Sequence, residues 1–353
     1  MDLRHKFDRK LVDAAIKKGV NYLWSLNKNG KWTGFPTLAG ESDIWVTGFV
    51  LTHINHLSGF TEGIDKSQKF LLNSRQPAGG WSYSAQVPPD ADSTAWCLMA
   101  LKSCPKMTDM AIEEAQTFLW SHFSGHGIST FLSNSAICEF IEATANMSVS
   151  GWTSAHTDVS IASALADIQN TKVIKIIKWL SEIQKKEGLV NSYWWRGPYY
   201  TTTLLLRALS LKNLQLPEID SRKLMSILTN NQLDSGGFSQ DSSATLDSFS
   251  TALALESFCH LSVPGQPQGK INCAHALLQS QQENGAWSGD FSMRIPAPDV
   301  MDPELNTSWN NADGGGNSFI EDKDGLFATA MACYALDCYK QDQGNFGPNT
   351  NTH

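Results

Sequence analysis

The sequence predicts an all-α fold in which six helix pairs close into a ring, six inner helices inside six outer ones. Three observations predict it. First, Gln-x-x-x-Gly recurs at Gln184 to Gly188, Gln232 to Gly236 and Gln281 to Gly285, and Phe238 and Trp287 stand two residues past the last two glycines. Gly30 to Trp32 and Gly79 to Trp81 keep the Gly-x-Trp half. Second, the glycines are evenly spaced: Gly30 to Gly79, Gly188 to Gly236 and Gly236 to Gly285 are 49, 48 and 49 residues apart. Third, a Thr-small pair recurs at Thr47-Gly48, Thr94-Ala95, Thr251-Ala252 and Thr329-Ala330, each time opening an apolar run. Helix pairs repeated this way bury their faces only against neighbouring pairs. An open solenoid is the competing architecture. It needs polar capping repeats; none is evident, and the many aromatics favour the ring. No β pattern of any length is present.

The units follow in order. An amphipathic helix comes first in each, such as Ala14 to Leu26, Lys172 to Ile183 or Ser221 to Leu228. A Gly-aromatic turn follows, then a more apolar helix. Gly79 and Gly188 are 109 residues apart, room for two units, so the third unit is a stretched one with Gly151-Trp152 inside it. The fourth inner helix aligns on Thr202-Thr203. In the sixth unit 42 residues separate Trp287 from Thr329, against 13 from Trp81 to Thr94 and from Phe238 to Thr251. This insertion, near 288–323, carries Met293 to Pro298, then Trp309, then Gly314-Gly315-Gly316. Long structureless insertions in compact domains are usually functional lids or else disordered. Proline and apolar content on one side and a glycine hinge on the other read as a lid over Ile295 to Asn317, helped by residues 129–150 of the stretched unit. The ring spans residues 1–340 as one domain, and 341–353 read as a disordered tail.

Composition narrows the function. The chain has 353 residues, 41% hydrophobic, with 12 tryptophans, enough for a large core. Net charge is −8 and no Lys/Arg run is long, which argues against nucleic acid and anionic membranes as partners. The start, Met1 to Lys6, is polar and lacks the apolar stretch of a signal peptide. No apolar run is long enough to span a bilayer. Seven cysteines show no Cys-x-x-Cys pair, as expected of buried thiols in a cytoplasmic protein.

One position of the repeat stands out. Four residues before the Thr-small pair stand Asp43, Asp90 and Asp247, and an Asp just before a helix caps it. Two residues before the pair stand Trp45, Asp92, Tyr200, Phe249 and Phe327, and the stretched unit offers Val159. In a ring, equivalent positions lie at one height. This height is a belt of aromatic faces with one carboxyl group, Asp92, among them. Burial disfavours a carboxylate and raises its pKa, and a neighbouring Asp90 pushes the same way. A protonated carboxyl there can deliver its proton to an alkene or an epoxide. The resulting cation is then held by aromatic faces, each worth roughly 0.5–2 kcal/mol, which do not trap it as nucleophiles would. Trp194, Trp195 and Tyr199, leading into the fourth inner helix, extend the wall.

Asp90-Ala91-Asp92-Ser93-Thr94-Ala95 resembles the Asp-x-Asp-Asp-Thr-Ala signature of class II terpene cyclases, the squalene–hopene cyclase superfamily. Gln281 to Trp287 and Gln232 to Phe238 resemble that superfamily's QW repeats. The resemblance covers Asp13 to about Cys338. It implies an α6–α6 toroid, a hydrophobic polyprenyl or meroterpenoid substrate, no cofactor, and Asp92 as the proton donor with Asp90 and Ser93 beside it. Ser93 replaces the signature's third acid, a departure shared in kind by enzymes that protonate epoxides. In squalene–hopene cyclases a His supports the acid from a stretch similar to Thr157-Asp158-Val159-Ser160-Ile161-Ala162. Its place here is Ala162, and His156 upstream is the substitute. The resulting substrate-binding set is Trp45, Tyr200, Phe249, Phe327, Trp195, Tyr199, His156, Asp158, Asp247 and Trp309. Most class II enzymes set the pocket between two toroids, whereas here there is one.

Rival readings are weaker. Zinc-dependent prenyltransferases need Asp-x-Cys where this chain has Asp247-Ser248-Phe249, and Cys259-His260 lacks the following Gly of lanthipeptide-type cyclases. The acidic segment Asp313 to Asp324 reads as a solvated loop before a divalent-cation site. Arg196, Arg207 and Arg294 are isolated, which argues against a diphosphate. A non-catalytic toroid that binds a lipid or a protein partner is the remaining alternative.

Overall fold

The computed structural model describes residues 9–57, 59–132, 136–144, 146–212, 219–241, 243–261, 267–310 and 314–345. Six helix pairs follow one another. Helices α1 (Arg9–Leu26) and α2 (Ile44–Ile54) flank a hairpin of β1 (Gly34–Thr37) and β2 (Gly40–Ser42). Helices α3 (Thr61–Ser74) and α4 (Ala91–Leu101) form the second pair. In the third, α5 (Asp109–Ser121) is followed by β3 (Phe123–Ser124), β4 (Gly127–Ser129), α6 (Ala136–Phe140), α7 (Ser150–Thr153) and β5 (Ala155–His156) before α8 (Thr157–Ala166). Helices α9 (Val173–Glu187) and α10 (Tyr199–Leu211) form the fourth, and α11 (Ser221–Asn231) and α12 (Ser248–His260) the fifth. In the sixth, antiparallel β6 (Met293–Ile295) and β7 (Ser318–Ile320) lie between α13 (Pro267–Ser280) and α14 (Leu326–Asn345).

The ring is closed. Helix α2 packs on α4, α4 on α8, α8 on α10, α10 on α12, α12 on α14, and α14 back on α2. The two helix types differ as their sequences do. Outer α1 buries one stripe, Val12, Ala15, Ile16, Gly19, Val20 and Leu23, at three- and four-residue spacing. Inner α12 is buried without a break from Ser248 to Phe258, because a barrel helix has neighbours on every side. The strands are at most four residues long and occur only in the turns between helices. Among the described residues no helix is long and apolar enough to cross a membrane.

One hydrogen bond recurs in every unit and fixes the register. The backbone N–H groups of Trp32, Trp81, Ile128, Val190, Phe238 and Trp287 donate to the hydroxyls of Thr47, Thr94, Ser160, Thr202, Thr251 and Thr329, at 2.7–3.0 Å. The stretched third unit therefore aligns on Ser160. Its residue at the belt position is Asp158, not Val159, and the insertion lies between Ile128 and Ser160.

The repeat glycines explain how units join. Gly30, Gly79, Gly188, Gly236 and Gly285 have φ between 84° and 97°, the left-handed region open to glycine. A Cβ on Gly30, Gly79, Gly236 or Gly285 would strike the backbone of the next outer helix, at Lys66, Glu114, Asn272 and Lys18 in turn. The repeat glutamines tie the same seam: Gln184 donates to the Asp220 carbonyl, Gln232 to that of Gly269, and Gln281 to that of Ala15, which joins the last unit to the first.

Three details differ from expectation. Asp43 does not cap α2; its carboxylate pairs with Lys31 at 2.7 Å. The acidic stretch is not wholly solvated: Asp322 is buried and accepts from the Phe327 and Ala328 amides at the start of α14. Helix α14 runs on to Asn345, so residues 341–345 continue the ring's last helix, while 346–353 lie outside the described residues.

Candidate active site

The site begins at the start of α4. Pro88-Pro89 interrupts the chain, and the Asp90 N–H then donates to the Trp81 carbonyl at 2.9 Å. The Asp90 carboxylate accepts the Ser93 N–H at 2.7 Å and caps the helix. Burial pushes Asp90 up to about 6, against the opposing hydrogen bonds from the Ser93 amide and hydroxyl. Asp92 stands two residues further on, half-buried, with one side facing a cavity. Its Oδ2 accepts the Trp45 indole N–H at 2.9 Å. Burial is the main cause that holds the Asp92 carboxyl well above the usual carboxylate range. The charges of Asp90 and Asp158 push the same way, and the Trp45 hydrogen bond and the nearby Trp96 indole oppose them.

The cavity holds about 150 Å³ and its wall is overwhelmingly apolar. Asp90, Asp92 and Ser93 form its acidic edge. Trp45 and Trp195 line it, as does Trp194. Among the described lining residues the ionisable groups are Asp90, Asp92 and the Tyr83 phenol, with no cation. The rest of the wall was not assigned from sequence: Thr37, Ala39, Tyr83, Val87, Thr130, Phe131, Ile137, Phe140, Ile141, Trp152, Met293 and Ile295. Most come from the two insertions. Their one sequence signal was the length of the gaps between turn and inner helix.

The belt is aromatic in four units and carries two carboxyls, Asp92 and Asp158, where one was expected, and it is not all wall. Tyr200, Phe249 and Phe327 do not line the cavity; they meet near the barrel axis behind Trp195. Trp195 stacks on Tyr200 with centroids 4.5 Å apart, and lies 5.2 Å from Phe249 and 5.6 Å from Phe327. Phe327 also lies flat on Phe49 at 3.6 Å. Rings at one height in a closed barrel converge, so they pack on one another before they reach open space.

Five further candidates also lie elsewhere. The Tyr199 hydroxyl faces Asn231, and its ring packs on Phe238, on the outer side of α10. Asp247 caps α12 through the Ser250 amide at 2.7 Å. Trp309 stacks on Phe319 in the sixth-unit insertion. His156 does not support Asp92: its Nδ1 is 2.7 Å from the Thr130 hydroxyl and its Nε2 is 2.7 Å from the Gly151 carbonyl. Burial lowers His156 to about 4. Asp158 accepts the Val159 N–H with one oxygen and those of Tyr193 and Trp194 with the other, at 3.0, 3.1 and 2.7 Å. It thereby anchors the Tyr193–Trp195 segment that faces the cavity.

The two insertions are knitted together over the site. Strand β6 pairs with β7, Arg294 N–H donates to the Trp194 carbonyl, and the Trp152 indole donates to that of Pro296 at 3.0 Å. Gly151 fits because a Cβ there would collide with Val300 and Pro298. The glycine run is no free hinge: the Gly314 carbonyl accepts from Leu38 of the first-unit hairpin at 3.1 Å. The three arginines are each committed, Arg207 to Glu256, Arg196 to Asp241 and the Phe291 carbonyl, and Arg294 to Glu304 and the carbonyls of Ser192 and Tyr193. His260 engages Glu256 at 3.2 Å.

No family model matches the sequence, and no curated protein matches it. Solved structures do. The type II terpene cyclase MstE from Scytonema, in a variant bound to geranylgeranyl dihydroxybenzoate described as its substrate, superposes with a TM-score of 0.85 at 25% identity, over 94% of this chain and 98% of that one. This chain is a class II terpene cyclase-like toroid. The unliganded MstE structure agrees, with a TM-score of 0.83 at 25% identity over 93% and 98% of the two chains. A possible GH105 family member from Klebsiella pneumoniae also matches, with a TM-score of 0.59 at 12% identity over 98% and 96%. That likeness shows the fold alone, so the chemistry of this cyclase-like toroid has to be argued from its cavity.

Proposed function

We propose that this protein is a class II meroterpenoid or terpene cyclase, in which Asp92 protonates an alkene or epoxide of a polyprenyl-type substrate. The observation that carries the reading is Asp92 itself: a carboxyl raised by burial, held by one indole donor, open on its remaining side to an aromatic cavity. A carboxyl raised in this way keeps its proton to higher pH than an exposed one and serves as a general acid. The proton adds to the π pair of the terminal alkene, or to the epoxide oxygen, and a cation forms at the substituted carbon. The next alkene of the folded chain attacks it, and rings close in sequence. Trp45, Trp195 and Trp194 present faces that stabilise positive charge as it moves.

The likeness to MstE along nearly the whole chain supports a hydrophobic substrate of isoprenoid type. The acidic lining makes a polyanionic head group a poor guest near Asp92. The knitted insertions serve as the cover that a second toroid gives in larger relatives, keeping water from the cation.

Purified protein incubated with geranylgeranyl dihydroxybenzoate, geranylgeraniol and its terminal epoxide should convert at least one of them to cyclic isomers of unchanged mass. A protein that binds these compounds and returns all of them unaltered would leave a lipid-binding toroid as the better reading.

A further inference from the structure

We propose that Thr130, backed by His156, takes the proton that ends the cyclisation. The inference rests on the cyclase reading and assigns a residue pair to a step that reading leaves open.

Thr130 follows strand β4 and its side chain lines the cavity. Its carbonyl accepts the Ala91 N–H at 3.1 Å, which seats it beside the first turn of α4, the turn that carries Asp92. The direction of its hydroxyl follows from its partners. His156 Nε2 lies 2.7 Å from the Gly151 carbonyl, which can only accept, so Nε2 carries the ring proton. Nδ1 then offers a lone pair, and the Thr130 O–H, 2.7 Å away, donates to it. The Trp194 indole N–H donates to the same Thr130 oxygen at 2.7 Å. One lone pair of that oxygen is left, and the cavity is what remains for it to face. The imidazole is fixed in place by stacking on Tyr193, centroids 3.8 Å apart.

The step balances. The last cation holds a C–H bond beside its empty orbital. That bonding pair becomes the new C=C bond, and the proton passes to Thr130 Oγ1. The proton already on Thr130 moves to His156 Nδ1, which leaves an imidazolium and the Asp92 carboxylate. Net charge is unchanged. A weak base suits this role, because a proton next to a carbocation is intensely acidic. Burial keeps His156 weak, at about 4, while it holds Asp92 high. The resting imidazole therefore does not strip Asp92 of its proton before the substrate arrives. Burial disfavours both the imidazolium and the Asp92 carboxylate, so return of the proton to Asp92 discharges both buried groups and restores the acid.

The test is the product distribution, read with whichever substrate the wild-type protein cyclises. Thr130→Val keeps the shape and removes the oxygen. It should lower turnover and cut the native alkene's share of cyclic products by on the order of a hundredfold, the lower end of general-base effects. Isomeric alkenes and water-trapped alcohols should replace it. Thr130→Ser keeps the hydroxyl and should return the native alkene as main product. Thr130→Ala reads the same question should the valine variant fold poorly. A native alkene share unchanged in both Val and Ala variants overturns the proposal. So does a wild-type protein whose cyclic product has gained the mass of one water, since the last cation is then trapped by water and no terminal base is used. Neither result touches the cyclase reading, which fails only if the wild-type protein makes no cyclic product.

Discussion

Asp92 and Asp158 occupy the same position in consecutive units, two residues ahead of the hydroxyl that receives the turn N–H. Both are carboxyl groups raised by burial. Their partners separate them. Asp92 accepts one indole N–H and faces the cavity, whereas Asp158 spends both oxygens on three backbone amides. The repeat supplies an inward carboxyl twice, and local hydrogen bonding leaves one free to act as the proposed proton donor and makes the other an anchor. The charge of the anchor still reaches the donor, because Asp158 helps to raise Asp92.

The contrast predicts different losses. Asp92→Asn is nearly isosteric but is not an acid. Turnover should fall by a factor of about a hundred or more, the scale of general-acid terms, with helical circular dichroism and melting temperature near wild type. Asp158→Ala should do the reverse. It strands the buried Tyr193 and Trp194 amides, at roughly 1–3 kcal/mol each, so the melting temperature should fall by several degrees and the products should diversify as Trp194 and Trp195 loosen. Asp158→Asn keeps an accepting oxygen and should recover most of both. An Asp158→Ala protein as stable as wild type and as inactive as Asp92→Asn would abolish the distinction.

A third buried carboxyl sharpens it. Asp322, like Asp158, is held by amides, and burial pushes it up to about 7. A raised carboxyl favours the folded state below its unfolded pKa near 3.8, and this contribution is lost as pH rises through about 7. Wild-type melting temperature should therefore decline between pH 4 and 7. Asp322→Asn should flatten that decline and raise stability at pH 8, by roughly 4 kcal/mol at most. Melting curves across the range check it, and an unchanged slope would mean that Asp322 titrates normally.

The smallest effect concerns the donor to Asp92. Trp45→Phe removes the indole N–H that lowers the Asp92 pKa and keeps a ring. The high-pH limb of the turnover profile should move to higher pH. Asp90→Asn still caps α4 and removes a like charge, so the same limb should move to lower pH, with less lost turnover than in Asp92→Asn. Shifts of the same sign in both variants would show that Asp92 does not set the profile.

The closed ring was legible because its joints are chemical: a glycine that meets the next helix, a glutamine that bonds across the seam, and a threonine that receives the turn. Asp92 was legible because an acid interrupted an aromatic column. The third unit was misaligned by one residue because Ile128 and Ser160 stand where four other units carry an aromatic and all five carry a threonine, with an insertion between them. Belt residues were placed at the right height, but periodicity does not tell an open cavity from rings packed at the axis. Phe131, Ile137, Trp152 and Met293 lie in segments that no repeat could align. His156 was recognised as a candidate, but its two nitrogen partners, Thr130 and Gly151, are set by tertiary structure alone.

Proton delivery by Asp92 is tested most directly by solvent labelling. Wild-type protein equilibrated in D₂O, given a substrate it cyclises, should yield product with one deuterium at the carbon protonated first, if an alkene is the initiating group, or in the new hydroxyl before back-exchange, if an epoxide is. Asp92→Asn, folded as judged by circular dichroism, should yield no labelled cyclic product above the trace set by its residual turnover. Cyclic alkene-initiated product without solvent deuterium, or labelled product formed by Asp92→Asn at the wild-type rate, would contradict the account.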